Sequence, residues 1–399
     1  MYKPSDEILE KYANVLVNFA LNSGEGIKKG EVVFVQVPEC AKPMLIALQR
    51  AILKAGGNMI LQYSPDEISK EYFELASDEQ LSFFPGNYIK ARVDAIDHIL
   101  FIGAESDKHE LESIDPKRIM LRQKAWKPYM DWRDEKENRG KFTWTAGLYG
   151  TEQMAKEVNL SVEEYWEEII KACYLDEKDP VAKWKEIFAE IERVRSKLDS
   201  LKIEKVHVKS ESTDLTVKLG KGRKWLGGSG RNIPSFELFI SPDWTGTNGK
   251  IQFTEPLYSY GNIIDKAYLE FKDGKVVLSK AEKGEKVLKE MISVENADKI
   301  GEFSLTDCRL SRITKFMGET LYDENVGGKY GNTHIALGKS YKDSYPGDPS
   351  KVSQEEWDKL GYNESAIHTD IVSTENRVVT ATLEDGSEMV IYKDGKFTV

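Results

Sequence analysis

Hydrophobic positions in the first half of the chain switch between two spacings. Ile8, Tyr12, Val15, Leu16, Phe19 and Ala20 fall on one broad face, because residues three and four apart stack on the same side of a helix. This predicts a helix over residues 8–21. Residues 31–37 (EVVFVQV) read as a buried strand and 44–55 (MLIALQRAILKA) as a helix stopped by Gly56-Gly57. Residues 59–63 and 98–103 read as two more strands. Strand, helix, strand order predicts a mostly parallel sheet flanked by helices. Ser161 and Glu164 form a capping-box pattern that opens another helix. A longer one follows, its stripe running through Val181, Trp184, Ile187, Phe188, Ile191, Val194, Leu198 and Leu201.

The second half changes spacing. Residues 205–209, 215–219 and 250–254 alternate like strands. Asp273-Gly274, Asp385-Gly386 and Asp394-Gly395 lie between β-prone runs, a hairpin signal. The expected architecture is therefore an N-terminal α/β domain, residues 1–204, and a C-terminal α+β domain, residues 205–399, whose antiparallel sheet carries the chemistry.

Composition narrows the function. The 399 residues suit two or three domains, and 40% hydrophobic with 31% charged residues suits a packed protein. A net charge of −11 repels phosphate, which argues against nucleic-acid and anionic-membrane partners. Cys40, Cys173 and Cys308 form no CxxC pair and are odd in number. With no apolar leader at the N-terminus and no run near about 20 apolar residues, a reducing cytoplasm is expected.

No GxGxxG or GxxxxGK[ST] follows any predicted strand, so the parallel sheet reads as a scaffold or dimerisation domain. GxSxG and HExxH are also absent, which leaves out a serine-hydrolase elbow and a zincin. Of the five histidines, His98 and His109 read as structural or solvated, and His207, between valines, as core or edge. His368-Thr369-Asp370 differs: alternation along a strand puts imidazole and carboxylate on the same side. His334 follows the acidic run Tyr322-Asp323-Glu324-Asn325. Carboxylates with one or two imidazoles suit zinc, cobalt or manganese.

Several segments of residues 205–399 together resemble the thermophilic-type metalloaminopeptidases. They are Asn232-Ile233-Pro234-Ser235-Phe236-Glu237, Ser241-Pro242-Asp243, Gly301-Glu302-Phe303, Leu321-Tyr322-Asp323-Glu324-Asn325, His334-Ile335-Ala336-Leu337-Gly338 with Tyr341, and His368-Thr369-Asp370. The resemblance implies a pair of divalent metals held by Glu237, Glu302, Glu324, His334, His368 and Asp370. Glu302 would touch both ions, Glu302 or Glu324 would act as base, and Tyr341 would point into the site. It further implies hydrolysis of peptides with a free N-terminus, and a homodimer. Two features depart from the family pattern. Phe236 stands where glycine usually precedes the glutamate, and the stretch between Glu324 and His334 is long. They motivate an alternative, a catalytically silent metal- or peptide-binding protein on the same scaffold. A dinuclear phosphoesterase fits less well, since such sites draw on more histidines and aspartates.

Overall fold

The computed structural model describes residues 2–259 and 262–399. The chain divides into two compact units, Met1–Lys185 with Ser229–Ile233 and Glu186–Gly228 with Pro234–Val399.

In the first unit, β1 (Val32–Pro38), β2 (Asn58–Ser64), β3 (His98–Gly103) and β4 (Thr143–Leu148) form a parallel sheet in the order β2-β1-β3-β4. The valine-rich β1 buries Val33, Phe34, Val35 and Val37, as expected of a strand covered on both faces. The helix expected over 8–21 is an α-helix only over Asp6–Val15, capped by Ser5. It continues as a π-turn, Leu16–Ala20, closed by the Leu21 N–H on the Leu16 carbonyl. The wider turn keeps Leu16, Val17, Phe19 and Ala20 all buried, so the apolar face is broader than one α-helical stripe. The capping box at Ser161 and Glu164 forms and opens the helix Val162–Ala172.

The second unit contains β5 (Ile203–Lys209), β6 (Asp214–Lys218), β7 (Glu237–Ile240), β8 (Asn248–Gln252), β9 (Leu257–Ser259), β10 (Asn262–Ile264), β11 (Tyr268–Lys272), β12 (Lys275–Lys280), β13 (Ile300–Thr306), β14 (Asn332–Gly338), β15 (His368–Ser373), β16 (Val378–Leu383), β17 (Glu388–Lys393) and β18 (Lys396–Phe397). Among the described residues these form an eight-stranded sheet, β12-β11-β8-β6-β5-β16-β17-β18, a four-stranded sheet, β15-β14-β13-β7, and the hairpin β9-β10. All of their pairings are antiparallel. The Asp-Gly pairs turn β11 into β12, β16 into β17 and β17 into β18. The mixed α/β and α+β class read from the sequence is the observed one.

Three histidines take structural places. His98 is buried between Thr143 Oγ1 at 2.8 Å and Glu31 Oε2 at 3.0 Å. His109 meets Glu157 at 3.1 Å. His207 corrects its expectation of core or edge. It lies on the exposed face of β5, an interior strand, 2.8 Å from Asp214 Oδ1. Its valine neighbours point the other way because side chains alternate. No helix among the described residues is long and apolar enough to cross a membrane.

Candidate metal centre

The four-stranded sheet sorts its side chains by alternation. One face presents Leu238, Ile240, Phe303, Leu305, Ile335, Leu337 and Ile371, each at most 1% exposed. Each such burial contributes about 1.5–3 kcal/mol, which gives the opposite face a rigid base. That opposite face carries Glu237 on β7, Glu302 and Ser304 on β13, His334 and Ala336 on β14, and His368 and Asp370 on β15. The register sets them in rows: Glu302, Ala336 and Asp370 lie directly across from one another, and Ser304 lies across from His334. Ala336 offers only a methyl group between two carboxylates, leaving room above it. Gly301 explains the glycine before Glu302. The β13–β14 register shifts there, and a Cβ at 301 would meet the Lys339 carbonyl oxygen at 2.3 Å.

The groups converge. His334 Nε2 lies 3.0 Å from Glu237 Oε2, 3.2 Å from Glu302 Oε1 and 4.0 Å from Asp370 Oδ1. His368 Nε2 is 3.6 Å from both Glu302 Oε2 and Asp370 Oδ1. Two donor groups emerge, Glu237–Glu302–His334 and Glu302–His368–Asp370, with ligand atoms in each within 4.8 Å of one another. Glu302 belongs to both. Glu324 belongs to neither. It follows the short helix Thr320–Asp323, shares a small cleft with Asp370, Leu257 and Tyr258, and receives Asn325 Nδ2 at 3.3 Å. The Tyr341 ring lies tilted at 57° with its centroid 4.6 Å from that of the His368 ring and is 40% exposed, so it forms the rim. All seven residues singled out in the sequence are thus brought to one place, and the long stretch 325–333 returns His334 to it.

Burial dominates the electrostatics. It pushes the Glu302 carboxyl from 4.5 to about 7, with Glu237 and Asp370 acting the same way and the His334 hydrogen bond opposing. Glu324 is held well above the carboxylate range by burial and by the charges of Glu237 and Asp370. Burial would lower His334, yet its bonds to Glu237 and Glu302 hold it well above the ordinary histidine value. His368 is raised against burial by Asp370 and Glu302. Packing around the Tyr341 phenol, reinforced by Glu302 and Asp370, raises it too.

The thermophilic metalloprotease (M29) family model matches residues 5–397. The chain belongs to this family. It is 29% identical to aminopeptidase AmpS of Bacillus subtilis (strain 168), over 96% of this chain and 98% of that one. It is likewise 29% identical to aminopeptidase PepS of Streptococcus thermophilus, over 98% of each. The solved structure of wild-type AmpT from Thermus thermophilus superposes with a TM-score of 0.84 at 25% identity, covering 98% of this chain and 99% of that one.

Membership in the M29 family implies a divalent metal, and the residues present fit one. Asp370 Oδ1 is buried without a hydrogen-bond partner. Were all four carboxylates ionised and both imidazoles protonated, two negative charges would remain, and buried charge without a counter-ion is costly. Each imidazole turns Nδ1 away from the cluster, His334 to Asn332 Oδ1 at 3.3 Å and His368 to the Lys339 carbonyl oxygen at 2.7 Å. Nε2 therefore faces the carboxylates, the arrangement metal-binding histidines adopt. Sequence reasoning missed the supporting residues Ser304, whose hydroxyl reaches Glu237 Oε2 at 3.4 Å, and Asn332. Both stand two residues from a singled-out donor on the same strand, a spacing that would have found them. Phe236, in the usual glycine's place, is 1% exposed, and its N–H donates to Asn325 Oδ1 at 2.7 Å.

Proposed function

We propose that this protein is a metal-dependent aminopeptidase that releases the first residue of peptides bearing a free N-terminus, using two divalent ions. The supporting observation is the carboxylate of Glu302, common to two donor groups on one sheet face of an M29 chain. Glu237 and His334 would complete one ion's set, and His368 and Asp370 the other's, with Glu324 alongside. Mixed imidazole and carboxylate donors suit zinc, cobalt or manganese. The second unit, with its catalytic residues inside 205–399, is the working domain in this reading.

Bound ions supply Lewis acidity, polarising a peptide carbonyl and making a water acidic near neutrality. The rest falls to the chain's own groups. Glu324 stands outside the donor groups, and its carboxylate takes the water's proton and passes it to the departing amine. Glu302 is held between the two groups and keeps their spacing. Tyr341 retains its proton at neutral pH because its phenol is raised, and its hydroxyl donates to the carbonyl oxygen as charge develops there. The free α-amino group would be taken by the metal site itself, which a blocked terminus cannot engage.

The reading includes a homodimer, which the family resemblance supports and sedimentation would test. It also includes a cytoplasmic location, supported by three unbridged cysteines. The silent-binding alternative is not favoured by relatives that are named as aminopeptidases. The decisive experiment strips the protein with chelator, returns zinc, cobalt or manganese, and measures hydrolysis of aminoacyl-anilides. Restored turnover on free α-amino substrates only is expected, and His334→Ala and His368→Ala should lose metal and activity together. Full activity without both imidazoles would sink the assignment.

A further inference from the structure

We infer that Asn332 is a positioning residue that aims His334 and anchors Glu324 with a single carboxamide. The inference rests on the metallopeptidase reading above. Asn332 opens β14 and is fully buried. Its Nδ2 donates to two backbone carbonyls, Glu324 at 3.0 Å and Val326 at 2.7 Å. A carbonyl oxygen only accepts, so this end of the side chain must be the NH₂ and the other end the oxygen. That oxygen lies 3.3 Å from His334 Nδ1. The imidazole must therefore carry a proton on Nδ1, so Nε2, which donates to Glu237 and Glu302 in the metal-free protein, is the nitrogen left to bind an ion once its own proton is lost. Two chain carbonyls thus dictate the tautomer of a histidine through one amide.

The same amide fixes where Glu324 begins. Glu324 and Val326 lie in the turn after the helix Thr320–Asp323, and Asn332 clips that turn to the end of the strand bearing His334. A change at position 332 should therefore separate into two effects. Losing the acceptor lets the imidazole choose the wrong tautomer and weakens metal capture. Losing the donors releases the turn and misplaces the Glu324 carboxylate without touching a metal ligand. His368 has no such handle, since its Nδ1 is held by the Lys339 backbone.

The test is a Co²⁺ titration of chelator-stripped wild type, Asn332→Leu and Asn332→Asp, followed by visible absorption, with circular dichroism to verify folding. The wild type should take up two equivalents. In Asn332→Leu one equivalent should bind 10–100-fold more weakly, the usual cost of losing a partner that orients a metal-bound histidine. Its absorption band should shift, while the other equivalent stays unchanged. Asn332→Asp keeps an acceptor for Nδ1–H but cannot donate to the two carbonyls. It should recover the cobalt affinity while kcat stays low and KM stays near wild type. A folded Asn332→Leu that binds both equivalents with wild-type affinity and spectrum would overturn the inference. If that variant does not fold, an Asn332→Asp protein that loses the weakened equivalent would do the same. A wild type that takes up no cobalt overturns the metallopeptidase reading itself, so the two failures are told apart.

Discussion

Replacing Glu302 with Gln should stabilise the metal-free protein, and by more as the pH rises. In the folded chain this carboxyl titrates near about 7 rather than 4.5. Between those values the native state holds a proton that the unfolded state has released. Stability therefore falls as pH rises through this window, and the loss is complete above about 7. At about 1.4 kcal/mol per pH unit, the carboxyl costs the metal-free fold about 3 kcal/mol at pH 8 and little at pH 4.5. Glutamine keeps the shape without the charge. Glu302 also raises His334, so the variant loses part of that imidazole's extra proton binding too, which moves the difference in the same direction, and the informative quantity is the slope. Denaturation of chelator-treated wild type and Glu302→Gln, followed by tryptophan fluorescence at pH 5, 6, 7 and 8, should show their difference moving by about 2–3 kcal/mol in favour of the variant. Saturating divalent metal should reverse the order, because only the wild type gains the ions' binding energy. A difference that stays flat across this pH range would refute the reasoning.

Other outcomes follow from the same geometry. Ala336→Val adds methyl groups between Glu302 and Asp370, and should lower bound metal, read by elemental analysis, at least about tenfold with a stability cost of about 1–3 kcal/mol. Glu324→Gln should retain metal yet lose about 10²–10⁴-fold in kcat, the range for removing a positioned proton carrier. Tyr341→Phe should lower kcat by about 10²–10³-fold while metal content holds, as for other lost oxyanion donors. Because Glu302 and His334 are both raised in the metal-free protein, metal binding must displace protons. Apparent affinity measured by calorimetry should weaken steadily as pH falls below about 7.

Local signals carried much of this. Valine-rich β1, the Asp-Gly hairpins and the capping box at Ser161 each depend on near neighbours, and each formed where the pattern put it. The π-turn at Leu16–Ala20 was invisible, because one extra residue in a turn widens an apolar face without breaking it. The helix Lys127–Asn138 was invisible for another reason: it buries no residue among those described, so no apolar stripe marks it. At the centre, the seven candidate side chains could be named from family-like segments. Their rows could not. The opposition of Glu302, Ala336 and Asp370 depends on strand register between segments more than thirty residues apart, which no local pattern encodes. Asn332 escaped notice because asparagine in a strand carries no chemistry until its partners are known.

The order of donors along the chain has a consequence for synthesis. Glu237, Glu302, His334, His368 and Asp370 emerge from the ribosome in that sequence, and the last two sit on β15, an edge of the four-stranded sheet whose one strand partner among the described residues is β14. Until β15 has left the exit tunnel, a nascent chain holds the donor group Glu237–Glu302–His334 but lacks His368 and Asp370, so the second group is incomplete. In the two-ion reading, a hydrolase assembled in this order is inert while still tethered, and the amino termini of neighbouring nascent chains are safe from it until its own translation is almost finished.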